Sequence, residues 1–209
     1  MKSQALIILA LTVIAVNATL GTDVSTAVSA SQWSCLKSNS RVFTIIRGYQ
    51  SFGQVDPNVV NNIKNARAGG QADVDVYIFP CVTCGNPAGQ ATALVDAIRG
   101  QNYGMVWIDI EVYQWSSSLT SNQAFITTMA NTLKNLGQHV GIYTSYYNWQ
   151  SIVGLSWSGV SWAPLWYAHY DNNPSFSDFQ AFGGWSSPAM KQYNGSSTIC
   201  GVGVDLDWY

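Results

Sequence analysis

Two acidic side chains at the end of an apolar run are the residues of this sequence best suited to chemistry. The apolar residues Met105 to Ile108 are followed by Asp109, Ile110 and Glu111, and Glu111 is the only glutamate in the chain. Side chains at positions i and i+2 of a strand point to the same side, roughly 7 Å apart. Because buried charges are costly and only 10 % of the residues are charged, this pattern indicates a functional carboxylate pair at the open end of an α/β fold.

Further acids occur at strand positions that could meet this pair. Asp23 ends the first predicted strand, and Asp205 and Asp207 lie in the last one, which would neighbour the first in a closed barrel. For Asp207 a structural hydrogen bond is the favoured interpretation. Clustered carboxyl groups could bind Ca²⁺ or Mg²⁺, but they also suit glycoside hydrolysis, in which one acid protonates the leaving oxygen. We predict hydrolysis with no metal and no cofactor.

Aromatic residues near predicted strand ends could stack on sugar rings. We predict substrate contacts for Tyr143, Trp166, Tyr167 and Tyr193. Trp166 and Tyr167 cannot both face the same opening, because neighbours on a strand point in opposite directions. Arg47 lies near the end of another predicted strand and could pair with a site acid or lie on the surface as an ordinary charge.

The elements that must position these residues alternate along the chain. Helices are predicted at Pro57–Ala68, Pro87–Arg99 and Ser121–Leu136, and each of them ends directly before a glycine. Eight apolar runs predict strands, and the alternation favours an irregular TIM-like (β/α) barrel. Since the chain is short for such a barrel, we expect loops or single turns in place of some helices, mainly in the C-terminal half. The strand predictions are Leu20–Val24, Phe43–Tyr49, Val74–Phe79, Met105–Ile110, His139–Thr144, Pro164–His169, Ala189–Tyr193 and Val202–Asp207.

The N-terminal residues have the pattern of a secretory signal. Lys2 precedes an apolar run from Ala5 to Val16, and small residues follow at a plausible cleavage site. We therefore divide the chain into a signal peptide, residues 1–18, and one domain, residues 19–209. We expect a monomer that is secreted or held in the lumen of an acidic compartment. The formal charge of −2 provides no basic surface for nucleic acid or anionic membranes.

Four cysteines in a secreted chain suggest two disulfide bonds. Three pairings are possible. The short spacing of Cys81 and Cys84 favours a small closed loop, which leaves Cys35 to pair with Cys200. A zinc site would need a second ligand pair at matching spacing, which the sequence lacks. The sequence Asn194-Gly195-Ser196 is an N-glycosylation sequon.

Five segments, taken in order, resemble glycoside hydrolase family 25, the Chalaropsis-type lysozymes. The resemblance extends over nearly all of residues 19–209 and is greatest to the small eukaryotic branch, with which the chain shares the run from Phe79 to Pro87. It implies an irregular α/β barrel that hydrolyses the β-1,4 bond between N-acetylmuramic acid and N-acetylglucosamine in bacterial peptidoglycan. The five segments are Gly21–Ser25, Trp107–Glu111, Leu165–Ala168, Gln192–Tyr193 and Val204–Asp207.

The resemblance also implies roles for individual residues. Glu111 would be the general acid and base, Asp109 would assist through the N-acetyl group of the substrate, and Asp23 and Asp205 would complete the acidic site. Two departures concern substrate detail: Asp207 stands where many relatives have Asn, and the run that begins at Arg47 differs from bacterial members. The alternatives are a catalytically silent glycan-binding protein, which the intact Asp-x-Glu disfavours, and a chitinase-like hydrolase, which would carry further aspartates upstream in that strand.

Overall fold

The computed structural model describes residues 18–111 and 113–209, so nearly all of the predicted signal segment, residues 1–18, lies outside the described residues. Nine strands and five helices occur in the described part. The strands are β1 Leu20–Val24, β2 Phe43–Gln50, β3 Gln54–Val55, β4 Asp73–Ile78, β5 Met105–Asp109, β6 His139–Thr144, β7 Leu165–Ala168, β8 Met190–Ile199 and β9 Val202–Trp208. The helices are α1 Ala30–Ser38, α2 Val59–Ala68, α3 Pro87–Ala97, α4 Leu119–Asn135 and α5 Tyr146–Ile152.

Eight of the strands close into a barrel, which confirms the predicted fold class. The sheet order is β1-β9-β8-β7-β6-β5-β4-β2-β3, and the additional pairing of β1 with β2 closes the ring. The two-residue strand β3 pairs only with the end of β2 and is an appendage. Among the described helices, none is long and apolar enough to cross a membrane.

The last strand departs from the parallel pattern of a regular barrel. β9 is antiparallel to both β8 and β1. A tight turn at Cys200 and Gly201, both with positive φ, joins β8 directly to β9 and replaces the crossover helix that a parallel strand would need. Asp205, at the middle of β9, therefore reaches the same end of the barrel as Asp23 near the C-terminal end of β1.

The predicted helices form with boundaries shifted by two residues or fewer. The segment from His169 to Ala189 connects β7 to β8 without a helix, as expected for the C-terminal half.

Helix α1 was not among the predicted helices. It begins with a capping box, in which the Ser29 side chain accepts from the Gln32 backbone and the Gln32 side chain accepts from the Ser29 backbone.

The alternation of side chains along the strands separates two apolar cores. Residues such as Val106, Ile108 and Ile110 point outward and pack against the helices, whereas Trp107, Tyr143 and other aromatic residues fill the barrel interior. Gly141 lies beside Trp107 in the parallel register of β5 and β6. A Cβ atom at Gly141 would overlap the Trp107 indole, so this glycine allows the aromatic floor of the barrel to form.

Both predicted disulfide bonds are confirmed. Cys35 of α1 is joined to Cys200 in the β8–β9 turn across 165 residues of sequence, and Cys81 is joined to Cys84. The first bond fixes the first helix to the end of the hairpin that closes the barrel. The second closes a short loop after β4.

The two bonds should differ in their effect on stability. Chain entropy predicts that removing the long-range bond with Cys35→Ala/Cys200→Ala lowers the free energy of unfolding by about 4 to 5 kcal/mol, against about 2 kcal/mol for Cys81→Ala/Cys84→Ala. Guanidinium titration of both double variants measures the difference. Equal losses, or a larger loss for the short loop, would contradict this expectation.

Candidate active site

A cavity of about 330 Å³ opens at the end of the barrel where the parallel strands terminate. It brings together most of the residues selected from the sequence. Four acids line it: Asp23, Asp109, Glu111 and Asp205. The predicted contacts Arg47, Tyr143 and Trp166 line it as well.

Strand β5 explains the positions of Asp109 and Glu111. Trp107 and Asp109 point into the barrel, and β5 ends at Asp109. The Ile110 backbone N–H still donates to the Tyr143 carbonyl at 2.9 Å, so the chain follows β6 for one more residue. The Glu111 carbonyl then accepts from Trp115 Nε1 at 2.7 Å. Glu111 is thus held at the cavity wall, while Asp109 lies at its floor with an exposed fraction of 6 %.

A hydrogen-bond network fixes Asp23 on the opposite side. Asp23 is paired with Asp205 across the β1–β9 ladder. Gln192 Nε2 donates to Asp23 Oδ2 at 2.6 Å. The Gln192 carbonyl oxygen in turn accepts from Tyr143 at 2.6 Å and from Tyr170 at 2.8 Å. Because both tyrosines occupy the oxygen, the amide nitrogen of Gln192 must face Asp23.

Burial raises the pKa values of all four acids. Burial, with the nearby charge of Asp205, raises the pKa of Asp23 to about 8, and burial raises the pKa of Asp205 to about 6. Burial and the charge of Glu111 raise the pKa of Asp109, and burial and the charge of Asp205 raise the pKa of Glu111. These directions follow from desolvation and like-charge repulsion.

Little positive charge compensates the acids. Among the described residues that line the cavity, Arg47 is the one cation. Its Nε donates to Asp56 at 2.8 Å and its Nη2 to the Ser25 carbonyl at 2.8 Å, so its charge is shared with an acid outside the cavity. A cluster of this kind keeps protons on carboxyl groups near neutral pH and can act as an acid toward a bound substrate.

Two predicted substrate contacts lie elsewhere. Tyr167 and Tyr193 point outward from the barrel, because their strand neighbours Trp166 and Gln192 point inward. The Tyr167 ring packs against Phe179, and the Tyr193 hydroxyl accepts from Arg41 at 3.0 Å. Neither tyrosine lines the cavity, so the geometry of the site does not support their predicted contact with the substrate.

Five residues that line the cavity were not among the predicted site residues. Strand periodicity indicates an inward position for three of them, because Tyr77 and Phe79 lie two and four residues after Asp75, and Gln192 lies two residues after Met190, on inward faces. The others depend on how the chain turns after each strand. The five are Ser25, Tyr77, Phe79, Tyr170 and Gln192.

The sequon asparagine takes part in local hydrogen bonds. Asn194 Nδ2 donates to Asn172 Oδ1 at 2.6 Å, and Asn194 Oδ1 accepts from the Ser196 backbone N–H at 2.9 Å. A glycan on Asn194 would replace one of the two Nδ2 hydrogens and leave one N–H as a donor. Glycosylation at this residue stays a prediction.

One group of side chains outside the cavity has a spacing that could hold a metal ion. His169, Asp171 and Asp178 place their ligand atoms within 4.8 Å of one another. The buried Lys191 ammonium donates to Asp171 at 2.8 Å and to Asp178 at 2.9 Å. Partial burial alone would raise the pKa values of both acids, but the hydrogen bonds from Lys191 outweigh it and lower them. Lys191 thus already supplies the positive charge that a metal ion would bring.

Comparison with known proteins agrees with this geometry. The family model described as Lysozyme-like protein 1 matches residues 15–193. A probable GH family 25 lysozyme 2 from Dictyostelium discoideum is 50 % identical over 196 residues, which cover 93 % of this chain and 92 % of that protein. The chain belongs to the glycoside hydrolase family 25 lysozymes.

Solved structures share the fold of this family 25 lysozyme. The bacterial lysozyme from Streptomyces coelicolor superposes with a TM-score of 0.74 at 23 % identity, over 90 % of each chain. The modular autolysin LytC from Streptococcus pneumoniae, solved with a synthetic peptidoglycan ligand, superposes with a TM-score of 0.71 at 20 % identity, over 92 % of this chain and 47 % of LytC. At these identities the likeness concerns the barrel alone.

The raised pKa values make stability depend on pH. Asp23 binds its proton more tightly in the folded state, with a pKa of about 8 against 3.8 in the unfolded chain. Its contribution to stability is therefore present at low pH and lost as the pH rises toward 8.

We expect the melting temperature to fall between pH 5 and pH 8, and to fall less in Asp23→Asn, which is neutral throughout. Differential scanning calorimetry measures this, with Asp96→Asn at an exposed site as control. A wild-type melting temperature that is constant or rises over this range would contradict the account.

Proposed function

We propose that this lysozyme is a muramidase that cleaves the β-1,4 bond between N-acetylmuramic acid and N-acetylglucosamine in peptidoglycan. The observation that carries the proposal is the placement of Glu111 and Asp109 on one side of a carboxyl-rich cavity with aromatic walls. Glu111 is half-buried and open to a substrate, whereas Asp109 is buried beneath it. The family membership favours a wall polysaccharide as the substrate.

Glu111 acts as the general acid in the first step. Its raised pKa keeps a proton available that passes to the glycosidic oxygen as the bond from that oxygen to C1 breaks. The carbonyl oxygen of the substrate's own N-acetyl group attacks C1 from the opposite face and forms an oxazolinium intermediate. This substrate-assisted route is one of the known exceptions to the scheme with two carboxylates.

Asp109 orients the N-acetyl group for that attack. Its Oδ1 is buried and lacks a hydrogen-bond partner among the described residues. Buried polar atoms are normally paired, and the N–H of an acetamido group is a suitable donor. An Asp109 oxygen that accepts this N–H increases the electron density on the acetamido oxygen and stabilises the positive charge of the intermediate.

Water completes the reaction with Glu111 in its second role. The Glu111 carboxylate left by the first step accepts a proton from a water molecule, whose oxygen attacks C1 and opens the oxazolinium ring. The product carries a new hydroxyl at C1, and Glu111 regains its proton. Asp23 and Asp205 complete the polar wall of the cavity around the cationic intermediate, and Tyr143, Trp166 and Arg47 contact the sugar.

A second lobe extends the cavity toward the β8–β9 hairpin. This lobe of about 240 Å³ shares Asp23, Ser25, Tyr77 and Asp205 with the catalytic cavity. Its far wall includes Ser196, Ser197 and Gly203. We assign a neighbouring sugar of the glycan chain to this lobe.

The proposal includes secretion, as a monomer, into an extracellular or acidic luminal space after removal of residues 1–18. Two disulfide bonds support it, because such bonds persist in oxidising compartments. The negative formal charge supports work at acidic pH, where carboxylates are partly protonated.

Replacement of Glu111 tests the chemistry. Glu111→Gln keeps the size of the side chain but cannot deliver a proton, so we expect peptidoglycan hydrolysis to fall by roughly 10²- to 10⁴-fold. Turbidity loss of a peptidoglycan suspension gives the rate, and identification of the new reducing end gives the bond cleaved. Asp96→Asn is the control.

The outcomes separate the alternatives. A muramic acid reducing end from the wild type, together with an inactive Glu111→Gln, supports the muramidase. Hydrolysis of chitin but not peptidoglycan by the wild type would point to the chitinase-like alternative. Sugar binding without turnover by a folded wild type would point to the silent glycan binder.

Gly203 tests the second lobe. A Cβ atom at Gly203 would have no heavy atom within 4 Å, so a larger residue should fold but occupy the lobe. We expect Gly203→Trp to raise KM for peptidoglycan about tenfold or more, whereas Gly203→Ala, which adds only a methyl group, should change it little. An unchanged KM in Gly203→Trp would remove the second lobe from the binding site.

A further inference from the structure

Asp207 is a buried carboxyl group that the proposed reaction does not use. It lies on β9 two residues after Asp205, so both side chains point into the barrel. In the β1–β9 ladder Asp205 is opposite Asp23, and Asp207 is opposite Gly21. Asp207 therefore lies deeper in the barrel than Asp205, further from the open end. Its exposed fraction is 0 %.

The partners of Asp207 account for only one of its oxygens. Trp166 Nε1 donates to Oδ1 at 2.9 Å. Oδ2 is buried and receives no N–H or hydroxyl donor from the described residues. The Asp23 carboxyl group approaches from β1: Gln192, the ladder partner of Asp207, donates to Asp23, and each of the two acids affects the pKa of the other. Two carboxylate anions cannot form a hydrogen bond with each other, so a hydrogen bond between these groups requires a proton on one of them.

The surrounding donors decide which carboxyl group holds that proton. Asp23 receives the short hydrogen bond from Gln192, whose orientation is fixed by Tyr143 and Tyr170. Asp207 receives a single hydrogen bond, from Trp166, and is more deeply buried. Asp23 is thus better equipped as the acceptor in a bond between the two groups, including where its own pKa of about 8 leaves it protonated. Asp207 is better placed to keep its proton.

The electrostatics agree with this assignment. Burial, followed by the charge of Asp23, raises the pKa of Asp207 well above the usual carboxyl range. The hydrogen bonds from Gln192 and Asp207 act in the opposite direction on Asp23. The titratable groups that act on Asp207 are Asp23 on β1 and Asp205 on its own strand. The neighbouring strands β7 and β8 contribute the Trp166 indole and the Gln192 amide, which do not titrate.

We propose that Asp207 is a positioning residue, a carboxylic acid that keeps its proton and donates it in a hydrogen bond to Asp23. One oxygen of Asp207 accepts from Trp166 and the protonated oxygen donates to Asp23. Asp207 thereby connects Trp166, in the aromatic interior of the barrel, with the hydrogen bonds among Gln192, Tyr143 and Tyr170 at the cavity wall. The effect on catalysis rests on the proposed function, but the protonation state of Asp207 does not.

Asparagine and leucine at this position form a matched pair of neutral variants of similar size. In Asp207→Asn the side-chain oxygen can accept from Trp166 and the amide can donate to Asp23, as in the proposed acid. In Asp207→Leu both hydrogen bonds are lost. We expect Asp207→Asn to retain peptidoglycan hydrolysis within about threefold, with a pH profile that superimposes on that of the wild type. We expect kcat to fall at least tenfold in Asp207→Leu.

The pH profile distinguishes a neutral from an ionised Asp207. If Asp207 were an anion in the wild type, its replacement by neutral Asn would remove a repulsive charge and shift the profile to lower pH. Such a shift would overturn the proposal, and so would equal activity of Asp207→Leu and Asp207→Asn. A wild type that hydrolyses peptidoglycan while Asp207→Asn fails would also overturn it and leave the proposed function intact.

Infrared spectroscopy tests the proton without relying on activity or on the leucine variant. The wild-type protein near neutral pH should show the C=O stretching band of a buried protonated carboxylic acid, and Asp207→Asn should lose one such band. Glu111→Gln, recorded in parallel, identifies any contribution from Glu111. An unchanged band in folded Asp207→Asn would show that Asp207 does not hold the proton.

Discussion

The confinement of several carboxyl groups to one end of a closed barrel is the constraint on which the rest of this structure depends. Asp23, Asp109 and Asp207 are buried, and Arg47, which lines the cavity, is bonded to an acid outside it. Charged forms of these groups would repel one another and lose their hydration. The site is therefore stable when it holds protons, and a site that holds protons near neutral pH is suited to general acid catalysis.

The topology of the barrel makes this confinement possible. Because β9 runs antiparallel between β1 and β8, its first half lies at the open end and brings Asp205 opposite Asp23. The aromatic residues below them, including Trp107, Tyr143 and Trp166, fill the interior. They exclude water from beneath the acids and supply the indole and hydroxyl donors that orient Asp207 and Gln192. The disulfide between Cys35 and Cys200 holds the hairpin that carries Asp205 against α1.

Sequence patterns were sufficient for the features that depend on short-range periodicity. The apolar run before Asp109 predicted both the strand and its acids, and β-branched runs located the strands of the barrel. Tyr167 and Tyr193 do not line the cavity; they were selected for their nearness to strand ends, although periodicity assigns them to the outer face. The link from Tyr143 through Gln192 to Asp23 joins three strands that are distant in sequence, so no local pattern could predict it.

The titration of Glu111 tests the central claim most directly. Because Glu111 is the only glutamate in the sequence, labelling glutamate with ¹³C at the side-chain carboxyl gives a single resonance in the NMR spectrum. The account predicts a titration midpoint above the usual value for glutamate, about 4.3, and a loss of peptidoglycan hydrolysis on the alkaline side that follows this midpoint. A midpoint at or below the usual value, or full activity well above the pH at which Glu111 is ionised, would contradict the assignment of Glu111 as the acid.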